Sequence, residues 1–369
     1  MLTLTNSNLP PAIEQILNIA RWAPSGDNAQ PWTFSVLDDS HFIVSVRVSP
    51  GNVYEFRDGE PTFISAGTLL ENMTIAAASL GRALQWEHQG ADGDRHRIAV
   101  HLTDKGPIAS PALLSQIQIR SVDRRPYQMR ALGAEQKALL SSAAGPEFPV
   151  AWFESLGQRR KIARLTSMAT DIRLRIPETF EIHRSIVDWD RRLSPTGIPA
   201  EALGLDAMTL KIMRWAMADK NRNDFMNRWL GSPSMAALQM DVVPGICSAA
   251  YFTFRIGKRP AETKAAITQL LRLGQSVQRF WLTATQLGLV IQPCIAPLAF
   301  AYYGRAGIPF TGGERERATA AKLAGALEDF FPNAQEVAFL GRIGWPKPRQ
   351  VEARSTRKPV ADLLGTGQA

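Results

Sequence analysis

Apolar positions fall into two recurring patterns along this chain. From Pro11 to Arg21, Ile13, Ile16, Leu17 and Ala20 recur at helical spacing, and Pro11 suits a first turn, so the segment reads as an amphipathic helix. Trp32–Leu37 and Phe42–Val48 then read as two strands of a hairpin turning at Asp38-Asp39-Ser40. Gly67–Leu84, with Leu69, Leu70, Met73, Ile75, Ala76, Ala77 and Leu80, leaves little polar face and predicts a buried helix. Ile98, Val100 and Leu102 alternate in a strand from Arg95 to Leu102, and the Pro/Gly-rich stretch 104–111 marks the middle of the fold. Further on, Leu113–Ile119 reads as helix, 149–154 as a short strand and Gln158–Arg175 as a basic amphipathic helix. Ala249–Ile256 reads as strand, Lys264–Leu287 as a long helix, Leu289–Gln292 as a strand start and Val337–Gly344 as a last strand before a basic tail with Lys347, Arg349, Arg354, Arg357 and Lys358.

Residues 178–245 stand apart, rich in Met and Trp (Trp189, Met208, Met213, Trp215, Met217, Met226, Trp229, Met235, Met240) and broken by Pro and Gly. Such a segment is either a helical subdomain with its own core or a lid over a binding site. The helix–turn–strand stretch from Ala66 to Gln85 also aligns with Leu273–Gln292: Gly67 on Gly274, Ala77 on Ala284, Leu80 on Leu287, Gly81 on Gly288 and Gln85 on Gln292. One unit used twice predicts a fused pseudo-dimer of two α+β halves, 1–108 and 109–369, the second carrying the insertion at about 178–245.

The chain has 369 residues, 45% of them hydrophobic, enough for a large core. No run of eighteen apolar residues occurs, and Met1–Asn8 has neither the basic nor the apolar part of a secretion signal. Two cysteines, Cys247 and Cys294, are too few for a disulfide framework or a zinc site, so the expectation is a cytoplasmic protein without a resident metal. The net charge of +8 fits nucleic acid, an anionic surface or a phosphorylated small molecule. No basic stripe interleaved with aromatics supports nucleic acid, and His88 and His183 lack partners at ligand spacing.

Two stretches carry candidate chemistry. Arg120-Ser121 with Arg124 places two guanidinium groups and a hydroxyl within five residues at a helical break, the donor set a phosphate needs; a solvated basic loop would look the same. Pro24-Ser25-Gly26 with Asn28, anchored by Trp32, offers small residues, a hydroxyl and an amide that could lie against a flat heterocycle, although these are also ordinary turn residues.

Taken together, Arg21-x-Ala-Pro-Ser-x-x-Asn-x-Gln-Pro-Trp32, the Arg-Ser-x-x-Arg stretch and the Gly-bounded apolar helix resemble the nitroreductase-like flavoproteins. The order of parts is most similar to their internally duplicated, Acg-like and MoeY-like branch, with support from Phe56–Glu60 before Ile64–Gly67, Arg120–Tyr127, Arg342–Gly344 and Ser355–Val360. The resemblance implies an α+β nitroreductase-like fold with noncovalent FMN at the junction of the halves. By position, Arg120, Ser121 and Arg124 would hold the phosphate and ribityl chain, and Pro24, Ser25 and Asn28 would approach the ring from the other half. Gln292, Pro293 and Ile295 would run along the ring edge, with a backbone N–H near Ile295 donating to it, while Arg357, with Arg354 or Lys358, would close on the phosphate. The first half lacks an Arg-rich motif and the second lacks Pro-Ser-x-x-Asn, so one FMN per chain is expected.

The implied activity is electron transfer from NAD(P)H through FMN to a small aromatic or quinone-like acceptor, needing no catalytic acid or base. The absence of Gly-x-Gly-x-x-Gly speaks against a Rossmann nicotinamide site. The alternative is a flavin-binding or storage protein whose insertion covers the FMN. The expected partner is a small molecule, with neither nucleic acid nor membrane, and further dimerisation stays open.

Overall fold

A computed structural model describes residues 9–106, 110–229, 231–348 and 352–365. The fold is α+β, as expected. Its first part runs α1 (Pro11–Ala20), β1 (Trp32–Val36), β2 (His41–Arg47), α2 (Phe56–Ser79), β3 (Ala83–Asp92) and β4 (Arg95–Thr103). The second runs α3 (Gln116–Ile119), α4 (Ala134–Ala144), β5 (Val150–Phe153) and α5 (Leu156–Arg175), then the insertion. The insertion comprises α6 (Pro177–Ile186), β6 (Val187–Asp188), β7 (Leu193–Ser194), β8 (Ile198–Pro199), α7 (Ala207–Met217), α8 (Lys220–Trp229), α9 (Ser232–Ala237) and α10 (Val243–Ile246). The chain closes with β9 (Ala250–Arg255), α11 (Thr263–Gln286), β10 (Val290–Pro293), α12 (Ala296–Ala306), α13 (Glu314–Phe330), β11 (Val337–Gly344) and β12 (Arg354–Ser355).

Two antiparallel four-stranded sheets repeat one strand order, β1-β2-β4-β3 and β5-β9-β11-β10. Between them α2 and α11 cross, each ending at a Leu followed by a glycine of positive φ (Gly81 at 72°, Gly288 at 74°). A left-handed glycine cannot continue the helix and turns the chain into the next strand. The structure therefore corrects the helix expected to reach Leu84: it stops at Ser79, and Ala83 already belongs to β3. Likewise Leu113–Ile119 is a 3-10 turn at Pro111–Leu113 followed by a four-residue helix, because Pro111 opens one short turn and Arg120 leaves the helical region. The expected boundary at 108/109 and Arg349 lie outside the described residues.

The crossing brings Gly67 against Gly274. Two polar pairs flank it: Glu71 Oε2 accepts from Arg279 Nη1 at 2.8 Å, and Asn72 Oδ1 accepts from Gln278 Nε2 at 2.8 Å. The alignment that sets Gly67 on Gly274 sets Glu71 on Gln278 and Asn72 on Arg279, so each pair is the counterpart of the other. Asn72 also donates to Ala20 O on α1, and Arg279 to Ala143 O on α4. Leu69, Leu70, Met73, Leu271, Val277 and Phe280 from the two helices share one apolar core with both sheets. Burial follows the sequence pattern: β4 alternates, with one face toward solvent, whereas every residue of β11 is buried.

In the insertion a small core of Val187, Ile198, Ala200 and Leu203 takes in Trp189 and Met213, while Met208, Trp215 and Met235 stay exposed. Its Met and Trp content is thus only partly its own core. Among the described residues no helix is long and apolar enough to cross a membrane, and no group of three or more His, Cys, Asp or Glu could hold a metal ion.

Candidate functional site

The loop after α1 is held in a conformation that side-chain-bearing residues seldom adopt: Asp27, Asn28 and Gln30 have φ of 51°, 59° and 51°. Strain of this kind persists only where surrounding contacts fix it. Here Ser25 Oγ accepts from Gln30 N at 2.9 Å, Thr68 Oγ1 donates to Pro24 O at 3.1 Å, and Arg357 Nε donates to Ala23 O at 2.8 Å.

Behind this loop four guanidinium groups gather from three stretches of chain. Arg120 is buried, donates to Trp22 O at 3.2 Å and lies 4.7 Å from the centre of the Trp281 ring. Arg354 donates to Gln118 O, and Arg21 donates to the carbonyls of Arg357 and Lys358. Burial, and then the charges of Arg357 and Arg354, hold Arg120 well below the usual arginine range. Burial pushes Arg357 down to about 9, helped by Arg354 and Arg21. Among the described residues, Arg21, Arg120 and Arg357 have no carboxylate partner, and Nε of Arg21 and of Arg120 is buried without a hydrogen bond. Arg120 and Arg357, both buried, repel one another's charge and bond to carbonyl oxygens, and such a pair forms a site that an anion would complete. The residues present therefore fit a phosphate group.

Ser121 lies just beyond, followed by Val122, which bridges Ile291 of β10 in parallel. Arg124 turns the other way, beside Asp27, and donates to Ala202 O in the insertion at 3.3 Å. Gln292 Oε1 accepts from Arg342 Nε at 2.7 Å, Pro293 pairs with Gly341, and Ile295 immediately precedes α12, so a helix N-terminus opens there. Arg342 is fully buried; it also donates to the carbonyls of Arg124, Arg125 and Pro244 and stacks 4.1 Å from the Tyr127 ring centre. It ties the Arg120–Tyr127 stretch to Gln292–Ile295. The sequence offered it only as part of a C-terminal resemblance, since a lone arginine in an apolar strand carries no motif. Burial pushes the Cys294 thiol up to about 12, which leaves no thiolate for nucleophilic work.

The structure thus gathers Pro24, Ser25 and Asn28 with Arg120, Arg354 and Arg357, and links Arg124 to Gln292, Pro293 and Ile295 through Arg342. It also adds a neighbour: the insertion. Asn28 Nδ2 donates to Pro195 O (3.3 Å), Gly197 O (3.2 Å) and Thr356 O (3.1 Å), and Gln30 Nε2 to Pro195 O (2.9 Å). The strap 193–203 is zipped to the tail by the parallel β7–β12 pair and by Ser355 Oγ on Gly197 O. Residues far apart in sequence make these contacts, so no local pattern announces them.

Comparison with known proteins places residues 10–50, which include the Pro24–Trp32 loop, on the family model described as Nitroreductase family. Two curated relatives from Mycobacterium tuberculosis strains, each named Putative NAD(P)H nitroreductase, are 26% identical over 301 residues, covering 80% of this chain and 80% of theirs. Among solved structures, a nitroreductase-like family protein from Bacillus cereus is 10% identical with a TM-score of 0.35, covering 72% of this chain and all of its own. A nitroreductase with bound FMN from Desulfitobacterium hafniense is 14% identical with a TM-score of 0.33, covering 69% of this chain and 98% of its own.

Proposed function

We propose that this chain is an FMN-dependent oxidoreductase of the nitroreductase type, taking electrons from NAD(P)H and passing them to a small aromatic or quinone-like acceptor. The observation that carries the reading is the buried pair Arg120 and Arg357, with half-buried Arg21 and Arg354 beside them, set against the Pro24–Asn28 loop. The match of residues 10–50 and the name of the mycobacterial relatives support it. Arg120, Ser121, Arg354 and Arg357 hold the phosphate end; Pro24, Ser25 and Asn28 approach the ring from the first half, and Gln292, Pro293 and Ile295 line its edge. When bound, FMN supplies a reversible two-electron couple. The protein contributes position and positive charge.

The repeated strand order and the matched pairs at the helix crossing support two fused halves. The junctions differ in sequence: Arg21-Trp22-Ala23 carries one arginine where the second half has Arg120 and Arg124, and Val122-Asp123-Arg124 lacks the Ser and Asn of Pro-Ser-x-x-Asn. One FMN per chain follows, in a cytoplasmic protein of the duplicated branch.

A second reading is favoured by the hydrogen bonds of Asn28, Gln30 and Arg124 to the insertion. In it the strap stays closed, the flavin is shielded from NAD(P)H, and the protein binds or stores FMN. Anaerobic addition of NADH or NADPH to the FMN-loaded protein separates the two. Bleaching of the flavin absorbance supports the reductase, and persistent yellow colour supports the store.

A further inference from the structure

A second polar cluster lies at the strap side of the site, and none of the groups assigned to the cofactor uses it. Tyr54, in the loop before α2, and His183, on α6 of the insertion, share a hydrogen bond of 2.9 Å between the phenol oxygen and Nε2. Arg173, near the end of α5, is close enough for its charge to bear on both, and on Asp27 and Asp241. Two atoms of this cluster are buried with no hydrogen-bond partner among the described residues: Arg173 Nε and Asp241 Oδ2. Asp27 and Tyr54 before α2, Arg173 of α5, and His183 and Asp241 of the insertion thus bring polar groups from three distant stretches of chain to one place.

The cluster borders both stretches assigned to the flavin ring. Asp27 immediately precedes Asn28, and Arg173 also bears on the thiol of Cys294, between Pro293 and Ile295. The edge of the Phe300 ring, 6.1 Å from the Tyr54 ring, supplies an apolar flank. A buried guanidinium N–H without an acceptor, beside a phenol already backed by an imidazole, is a donor set that lacks its oxygen.

We propose that Tyr54, His183 and Arg173 form the polar wall of an acceptor subsite that takes a small planar molecule bearing a carbonyl or nitro oxygen, with a quinone as the simplest case. This rests on the reductase reading. Converting a quinone to its hydroquinone takes up two electrons and two protons. Hydride originating from NAD(P)H, which leaves as NAD(P)+, brings both electrons and one proton. Tyr54 gives its hydroxyl proton to the quinone oxygen and regains one from the Nε2–H of His183, in the tautomer that donates toward the phenol. His183 Nδ1 takes up the replacement from solvent, and Arg173 Nε–H steadies the oxygen through the transfer. Tyr54 is the catalytic residue of this set, while His183 and Arg173 supply and position.

The FMN-loaded protein tests this with two readouts. In the first, 4-hydroxyacetophenone, an aryl ketone that is not turned over, is titrated calorimetrically into wild type, Tyr54→Phe and His183→Gln. Loss of the phenol donor weakens binding about tenfold in Tyr54→Phe, and less in His183→Gln, whose amide still reaches Tyr54. In the second, turnover with 1,4-naphthoquinone, which needs a proton, is divided by turnover with ferricyanide, which needs none. That ratio drops roughly a hundredfold in Tyr54→Phe. Unchanged ketone affinity and an unchanged ratio, with FMN retained and bleached by NAD(P)H, would reduce the pair to a latch on the insertion and overturn the subsite. A chain that takes up no FMN, or whose FMN is not bleached, fails at the earlier step and removes the reductase reading with it.

Discussion

Gly67 and Gly274 meet backbone to backbone where α2 crosses α11, and a Cβ added to either glycine would stand 2.7 Å from the other's Cα. Nothing flexible lies in the way that could yield, since the remaining neighbours are the carbonyl groups of Leu271 and Ile64. The two helices must part to admit even one methyl group, and the apolar core shared by both sheets parts with them. Gly67→Ala and Gly274→Ala should each lower unfolding free energy by roughly 1–3 kcal/mol or more in a denaturant titration. A loss below a few tenths of a kcal/mol would mean that the crossing is looser than described.

Arg120 and Arg357 are buried beside one another's charge and bond mainly to carbonyl oxygens. An anion placed among them relieves that repulsion. The melting temperature of the flavin-free protein should therefore rise with inorganic phosphate, and further with FMN, by the usual linkage of ligand to folded state. Arg120→Ala or Arg357→Ala should weaken FMN binding by about 1.5–3 kcal/mol, measured by equilibrium dialysis. Undiminished FMN retention in both variants would place the phosphate elsewhere. The stoichiometry should be one FMN per chain, and a value near two would refute the asymmetry of the junctions.

Asn28 fastens the strap with two hydrogen bonds, to Pro195 O and Gly197 O, and the tail with a third, to Thr356 O. Asn28→Gly leaves those carbonyls to water or unsatisfied and accepts the positive φ of 59° at this position. Cleavage by a protease of broad specificity within residues 190–205 should speed up several-fold relative to wild type. NAD(P)H should bleach the flavin of this variant at least as fast as before. An unchanged cleavage rate would show that the strap is held without Asn28, by the β7–β12 pair and the bonds from Gln30, Ser355 and Arg124.

His183 carries a definite pH signature. Burial, with the Arg173 charge second, takes it down to about 3 from an ordinary 6.5. The unfolded chain gains a proton on this ring as pH falls through 6.5, whereas the folded chain stays neutral until about 3. Across that window acid favours unfolding through this ring by up to about 1.4 kcal/mol per pH unit. The buried carboxyls of Asp27, Asp241 and Glu71 act in the opposite sense: burial raises their pKa values, so the folded state takes up their protons first. Comparison with His183→Gln cancels that background. Wild-type stability minus variant stability should be constant above pH 7 and fall steadily toward pH 4, measured by urea unfolding. A difference independent of pH would show that His183 is solvated in the folded chain.

Much of the fold was legible because it depends on local rules. The helical spacing of Ile13, Ile16 and Leu17, the alternation of Ile98, Val100 and Leu102, and the long apolar runs of α2 and α11 each declare an element and its buried face. The misplaced end of α2 has a local cause as well: Leu84 continues an apolar pattern, but Gly81, at positive φ, had already ended the helix. The strand that follows, β3, is half exposed, and so its pattern was masked by the helix before it.

The sequence by itself also set Gly67 in register with Gly274 in two aligned stretches, and showed that Arg-Ser-x-x-Arg and Pro-Ser-x-x-Asn occur once each. These are facts about order and identity along the chain. Only the tertiary structure decided that the two glycines touch, that Arg120 and Arg357 share one buried place, and that Tyr54 meets His183. The last contact joins residues 129 positions apart, and Arg342 reaches Arg124 O across 218. No spacing rule operates over such separations, because they are fixed by which apolar faces pack. Polar groups carried along on those faces find their partners only once the core has closed.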